Sequence, residues 1–315
     1  MSEPFAKLPF DISDKVGILD PSGRKPNPLT GRPYANHNQA KMVEGEPMTY
    51  ANIAKHRWCN LGVYTRNQEV LKLMNDKQIV CAKSGTGSGK TVIFPKFALH
   101  VGGYKKKVLC AIPKKQPTKS SAQWAATTMD VRLGEEVGYF YKGDHNRSNK
   151  TLLTFTTTGS VNAIIKRDPL LSEYDYLVID EAHERKTDMD LLLLFVKELV
   201  MKRKDIKVVI MSATIDPQHY KKYFSGVPNH HFSFGAIDIP AEAPYPRIKE
   251  YAEHDVHRGE SNPVIEENIV RIISQILDNP PLRHDKKLLR RINDEFQVKQ
   301  QSAEILDGDI LAFVT

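Results

Sequence analysis

Ser84-Gly-Thr-Gly-Ser-Gly-Lys90-Thr91 is the stretch on which the reading of this chain turns. A loop that wraps phosphate groups needs backbone N–H groups pointing inward. Gly85, Gly87 and Gly89, spaced by Thr86 and Ser88, remove the side chains that would block such an approach. Ahead of the loop, the β-branched apolar run Ile79 to Ala82 reads as a strand; behind it, residues 92–101 have helical spacing. The amino end of that helix favours anions. Lys90 offers a cation for the β and γ phosphates of a nucleotide, and the Thr91 hydroxyl is a magnesium ligand in such loops. The first glycine of the usual pattern is replaced by Ser84, with the extra glycine displaced to Gly85. A Gly-Ser loop with an accidental Lys-Thr is the competing reading, and the flanking strand and helix weigh against it.

Outward from this loop, short apolar runs alternate with longer amphipathic stretches. Val108 to Ile112, Leu152 to Phe155, Tyr176 to Ile179 and Val208 to Met211 read as further strands, with helical patterns near 118–129, 159–167, 187–203 and 217–224. Such alternation predicts an α/β fold: a parallel sheet covered by helices on both faces, binding ligands at the carboxyl ends of its strands. Leu177-Val-Ile179 delivers Asp180 and Glu181 to one such end, within the phrase Asp180-Glu-Ala-His183. A carboxylate there holds magnesium, usually through water, and a second orients or deprotonates an attacking water. Asp180 takes the first role and Glu181 the second. By itself a strand ending in Asp-Glu is more often a solvated end; its meaning comes from following the loop at a distance of 90 residues. A third phrase, Ser212-Ala-Thr214, closes the next strand.

The bulk properties narrow the setting. A chain of 315 residues can bury a core without disulfides or a structural metal, and Cys59, Cys81 and Cys110 are odd in number with no Cys-x-x-Cys spacing. These cysteines suggest a reducing, intracellular compartment. The amino terminus lacks a signal pattern, and the apolar run Leu191 to Val196 is too short to cross a bilayer, so a soluble protein without a membrane partner is expected. An excess of 45 Lys+Arg over 38 Asp+Glu, net +7, suits a phosphate backbone without requiring one. His254-x-x-His257 has no third ligand beside it and reads as a solvated pair; Lys105-Lys-Lys107 and Lys202-Arg-Lys204 read as a solvated turn and a helix end.

Taken together, Thr86-Gly-Ser-Gly-Lys-Thr91 with Pro95, Asp180-Glu-Ala-His-Glu-Arg185 and Ser212-Ala-Thr-Ile-Asp216 make the chain resemble the DEAH-box helicases of superfamily 2, from about Gln68 to Ser225. The resemblance implies a RecA-like P-loop NTPase fold, ATP or another NTP with Mg2+, and RNA as substrate, single-stranded or duplex with a tail, with DNA as the lesser alternative. It also implies 3′ to 5′ movement and little nucleotide selectivity. Ile112-Pro-Lys-Lys115 and Thr157-Thr-Gly-Ser160 are similar to the family's backbone-holding segments, which makes Lys114, Lys115, Thr157, Thr158 and Ser160 candidate nucleic-acid contacts. The family has arginines where Lys114 and Lys115 stand, and lysine lacks the bidentate fork. By the same resemblance His183 joins nucleotide state to a facing domain, and Ser212 and Thr214 link hydrolysis to strand separation. Trp124 occupies the place where the family stacks an arginine on the base; an indole offers an equivalent face, and a Trp buried against the sheet is the equal alternative. Asn27-Pro-Leu-Thr-Gly-Arg32 is similar to segments in proteins of large DNA viruses and hints at a viral source.

Three regions are expected. Residues 1–48, rich in Pro, Gly, Asn and charge, read as an extended or weakly ordered arm; 49–243 as the first RecA-like ATP-binding domain; and 244–315 as a linker and the incomplete start of a second RecA-like domain, whose first strand would be Asp309 to Val314. The motor needs that second domain, in cis or in trans, for its arginines. Two functions follow: part of an NTP-dependent RNA helicase, or a truncated module that binds nucleotide or RNA without unwinding.

Overall fold

In a computed structural model, which describes residues 11, 15–85, 87–226 and 232–240, the apolar runs pair into one eight-stranded sheet. Its strands are β1 (Ile79–Ser84), β2 (Val108–Ile112), β3 (Val137–Tyr141), β4 (Asp144–Asn146), β5 (Leu153–Thr157), β6 (Tyr176–Ile179), β7 (Lys207–Ser212) and β8 (Phe234–Ile239). Their order is β8-β1-β7-β6-β2-β5-β3-β4, parallel throughout except for the β3–β4 hairpin at one edge. Parallel neighbours require crossovers, and these are helices α2 (Lys90–Val101), α3 (Lys115–Met129), α4 (Thr158–Arg167), α5 (Thr187–Lys202) and α6 (Pro217–Ser225), preceded by α1 (Asn67–Asp76).

Alternation along the strands divides the core in two. Val80, Ala82, Cys110, Val178 and Met211 face one side with Ile93, Phe97 and Ala122 from α2 and α3, whereas Ile79, Leu109, Ile179 and Ile210 face the other with Val161, Leu192, Val196 and Phe224 from α4 to α6. The two-faced α/β architecture expected from the sequence is therefore present. Register lines up the carboxyl ends: Lys83 opposes Ser212, Ile179 opposes both Ile210 and Ala111, and Ile112 opposes Thr157. One edge of the sheet thus presents the ends of β1, β7, β6, β2 and β5 side by side.

The five expected strands and five expected helices are all found, with ends shifted by up to three residues. The sequence pattern missed α1, β3, β4 and β8. Asp144-His-Asn146 pairs with β3 through its backbone and through the Asp144 carboxylate, which accepts from the Tyr139 and Tyr141 hydroxyls, and it has no apolar alternation to read; β8 carries Gly235 within an edge strand. The expected linker and second-domain start at 244–315, with His254 and His257, lie outside the described residues, as does Thr86.

Residues 15–48 hold little regular structure, as their composition suggests, yet they are firmly attached. A single turn at Gly17–Leu19 buries Ile18 and Leu19. Four tyrosine hydroxyls donate to consecutive carbonyls there: Tyr104 to Val16 (3.1 Å), Tyr34 to Gly17 (3.2 Å), Tyr50 to Ile18 (2.8 Å) and Tyr64 to Leu19 (2.8 Å). Farther along, the Asn27 amide donates to Met129 O at 2.8 Å. Asp130, left-handed at the end of α3 (φ 51°), accepts from the N–H groups of Asn36 (2.7 Å) and His37 (2.8 Å). Backbone pairing that an isolated arm would take from water is supplied by side chains of the domain.

Asp130→Ala leaves two N–H groups without their charged acceptor and places a Cβ-only residue at a left-handed position. The expected cost is about 2–3 kcal/mol in urea unfolding, with Asp130→Asn losing less because Asn tolerates that backbone and keeps one acceptor.

Candidate nucleotide and nucleic-acid site

The glycine loop leaves β1 at Ser84 and turns through Gly87 (φ 85°) and Gly89 (φ 88°), conformations that residues with side chains rarely adopt. Gly89 is doubly required, because a Cβ there would lie 2.4 Å from Leu61 Cδ1. The displaced glycine has a structural answer: Ser84 Oγ hydrogen-bonds Ser88 Oγ, and Ser88 Oγ donates to Gly85 O at 2.7 Å, closing the loop on itself. Helix α2 begins at Lys90, so its first N–H groups have no intrahelical acceptors and point toward the loop.

Strand β6 ends at Ile179, and Asp180 continues its pairing by donating its N–H to Ala111 O at 2.9 Å. Asp180 is 1% exposed. Its Oδ2 accepts from the Thr91 hydroxyl at 2.5 Å and its Oδ1 from the Glu181 N–H at 2.8 Å. Burial pushes this carboxyl up to about 6, the Thr91 hydrogen bond pulling it back and the neighbouring Glu181 charge adding to the rise. Glu181 takes a left-handed backbone (φ 52°), which turns its side chain toward α2. There Oε1 lies 3.1 Å from the nearly buried Lys90 Nζ, while Oε2 lies 3.3 Å from His183 Nδ1. His183 Nδ1 is also 3.0 Å from Ser212 Oγ at the end of β7, and the Thr214 N–H donates to the same oxygen at 3.3 Å. Six residues from two strand ends and one helix start, Thr91, Asp180, Glu181, Lys90, His183 and Ser212, are thereby linked atom to atom, the Asp180–Glu181 step through the Glu181 N–H.

Beside this chain opens a cavity of about 410 Å³ lined by Thr91, Pro113, Lys114, Asp180, Glu181 and His183 among others. The residues present fit magnesium and a nucleotide: a buried carboxylate beside a hydroxyl, a lysine amine, and a glycine loop whose left-handed turns leave room for phosphates. Among the described residues no cluster of three or more His, Cys, Asp or Glu side chains offers a different metal site, and no helix is long and apolar enough to cross a membrane.

The other expected residues are placed less uniformly. Trp124 is half-buried on the same face of α3 as Pro117 and Ser121, which line the cavity, but one turn farther on and outside its wall. Lys114 is exposed with Nζ 3.5 Å from Glu184, and Lys115 donates to Lys142 O at 3.1 Å while lying over the Tyr141 ring. Thr157 and Ser160 share a hydrogen bond of 2.8 Å at the start of α4. Thr158 faces inward, 3% exposed, so its hydroxyl does not share their surface. Leu61, against Gly89, is not singled out by the sequence and carries no local signal, since it becomes relevant only when distant segments meet; Glu184, against Lys114, lies within the quoted Asp180 to Arg185 phrase but is given no role there.

The comparisons with known sequences agree on one family. The sequence model of DEAD/DEAH box helicases matches residues 65–223. A protein of Acanthamoeba polyphaga mimivirus named as an ATP-dependent RNA helicase, L540, is 38% identical over 264 residues, covering 78% of this chain and 36% of that protein. The ATP-dependent RNA helicase HrpA of Escherichia coli is 35% identical over 195 residues (62% of this chain, 15% of HrpA), and HrpA of Borreliella burgdorferi 36% over 169 (53% and 20%). The chain spans little more than a third of the mimivirus relative's length, and less of the others.

The sign of the Asp180 shift sets a test. With the folded pKa near 6 and an ordinary carboxylate near 4 in the unfolded chain, the folded state binds more protons between those values. Stability of the ligand-free protein should therefore fall as pH rises from about 4 to about 6 and level off above, a loss of at most about 3 kcal/mol. Asp180→Asn, whose Oδ1 still accepts from the Glu181 N–H while its amide N–H can donate to the Thr91 hydroxyl oxygen, should remove that component of the slope and gain about 1–2 kcal/mol at pH 7.5, measured by thermal unfolding across pH.

Proposed function

This chain belongs to the DEAD/DEAH box helicase family, and on that premise we propose that it carries the nucleotide-binding domain of an ATP-dependent RNA helicase. The observation that supports this most is the continuous set of contacts from Lys90 and Thr91 through Asp180 and Glu181 to His183 and Ser212. The loop N–H groups and the α2 amino end receive the phosphates, and Lys90 leaves Glu181 to pair with them. Thr91 and Asp180 would hold Mg2+, which supplies neutralisation of the charge that develops on the transferred phosphoryl group. Glu181, released from Lys90, orients the attacking water and accepts its proton. Trp124, one turn from the cavity wall, stacks on the base.

His183 and Ser212 translate that rearrangement. Because His183 Nδ1 contacts both Glu181 and Ser212, a move of the Glu181 carboxylate alters the Ser212–Thr214 turn at the next strand end. RNA lies along the same edge of the sheet, its phosphates on Lys114, Lys115, Thr157 and Ser160, which gives affinity without base selectivity. A second RecA-like domain, in cis or in trans, faces this edge and supplies the arginines that complete hydrolysis.

Lys90→Ala should weaken Mg-ATP binding by at least ~10-fold in a calorimetric titration and abolish RNA-stimulated hydrolysis by the chain assayed with its second domain. Binding and hydrolysis unchanged by that substitution would rule the reading out. Nucleotide and RNA binding without strand separation under the same conditions would favour the non-unwinding module instead.

A further inference from the structure

The phosphate-binding loop is supported from outside by residues that precede the family match, which begins at residue 65. The short helix Gly62–Thr65 lies against the loop: the Val63 N–H donates to Ser88 O at 3.2 Å, and the Leu61 side chain occupies the space a Cβ on Gly89 would need. The next residue, Tyr64, is 4% exposed and donates its hydroxyl to Leu19 O at 2.8 Å. Leu19 belongs to the turn whose four carbonyls are pinned by four tyrosines. That turn in turn packs on α2, the helix that begins with Lys90 and Thr91.

Aromatic contacts run through the same region. Tyr34 stacks on Tyr50 at 3.9 Å, Tyr50 meets Trp58 at 6.1 Å, and Trp58 meets Tyr64 edge-on at 5.1 Å. Lys96, fully buried six residues after Lys90, places its amine 4.0 Å from the Trp58 ring centroid and donates to Thr128 O at 3.1 Å. Lys96 thereby ties α2 to the Trp58 ring and to the last turn of α3 at Thr128. None of these groups reaches the cavity beside Asp180, so the catalytic chemistry leaves them unexplained.

We propose that Tyr64 and Leu61 are positioning residues for the phosphate-binding loop: Tyr64 anchors the 61–64 segment to the amino-terminal turn, and that segment holds Ser88 and Gly89 in the shape that receives a nucleoside triphosphate. The inference rests on the nucleotide-binding reading of the loop. It assigns the amino-terminal strap a part in nucleotide affinity, through lowering the cost of ordering the loop on binding.

The test is a Mg-ATP titration of the 315-residue chain carrying Tyr64→Phe, Leu61→Ala or Tyr50→Phe, with the thermal midpoint of each. Tyr50→Phe removes an equivalent buried hydroxyl bond from the same turn without touching the 61–64 segment. The expected result is a Kd raised about fivefold by Tyr64→Phe and about tenfold by Leu61→Ala, with Tyr50→Phe within about twofold of wild type at a similar loss of thermal midpoint. Leu61→Ala leaves every tyrosine bond in place, so it reports on the loop even if Tyr64→Phe folds poorly. Equal Kd values across all four proteins, with lowered midpoints, would overturn the proposal and leave a purely structural strap. Failure of the wild-type chain itself to bind Mg-ATP would instead remove the nucleotide reading, and this inference with it.

Discussion

A carboxylate at the end of a parallel strand, sealed from water, is costly unless partners meet it, and Asp180 is such a group. Its position follows from the sheet. β6 lies between β7 and β2, so Asp180 emerges flanked by Ser212 on one side and by the start of α3 on the other, with α2 across from it. Thr91 and the Glu181 N–H satisfy its two oxygens, but burial outweighs these bonds and the nearby Lys90 charge, and the carboxyl is pushed up to about 6. On the proposed reading, Mg2+ held by Thr91 and Asp180 would offset that cost.

The same logic extends along the contact chain. Lys90 and Glu181 pair with one another, and His183 bridges Glu181 to Ser212. On the proposed reading, each of these groups is paired with another that a nucleotide would claim, so binding at the loop would redistribute the whole set. A left-handed backbone at Glu181, unfavourable for a residue with a side chain, keeps that carboxylate within reach of both Lys90 and His183.

Much of this was legible in the residues. The loop, Asp180, Glu181 and Ser212 each announce themselves because local spacing fixes them at strand ends, and the alternation of short and long apolar patterns fixes the sheet. What stayed hidden depends on long-range contact. The polar strand Asp144–Asn146 pairs through its backbone, α1 has a polar sequence, and Leu61, Tyr64 and Lys96 matter only because segments far apart in the chain pack together. Composition made residues 1–48 read as a loose arm, since their apolar content is low; over the described residues 15–48 the domain's tyrosines and Asp130 supply bonds that such a segment cannot make for itself. Thr158, indistinguishable from Thr157 in the sequence, faces the interior because α4 starts between them.

The central claim is that the Lys90–Glu181 and Thr91–Asp180 contacts are the ligand-free arrangement of a Mg-nucleotide site. The structure of the chain with Mg2+ and a non-hydrolysable ATP analogue tests it most directly. The account predicts Lys90 Nζ displaced from Glu181 onto the phosphates, with Thr91 and Asp180 turned to one magnesium ion. Phosphates bound away from the glycine loop, with Lys90 still paired to Glu181, would contradict it.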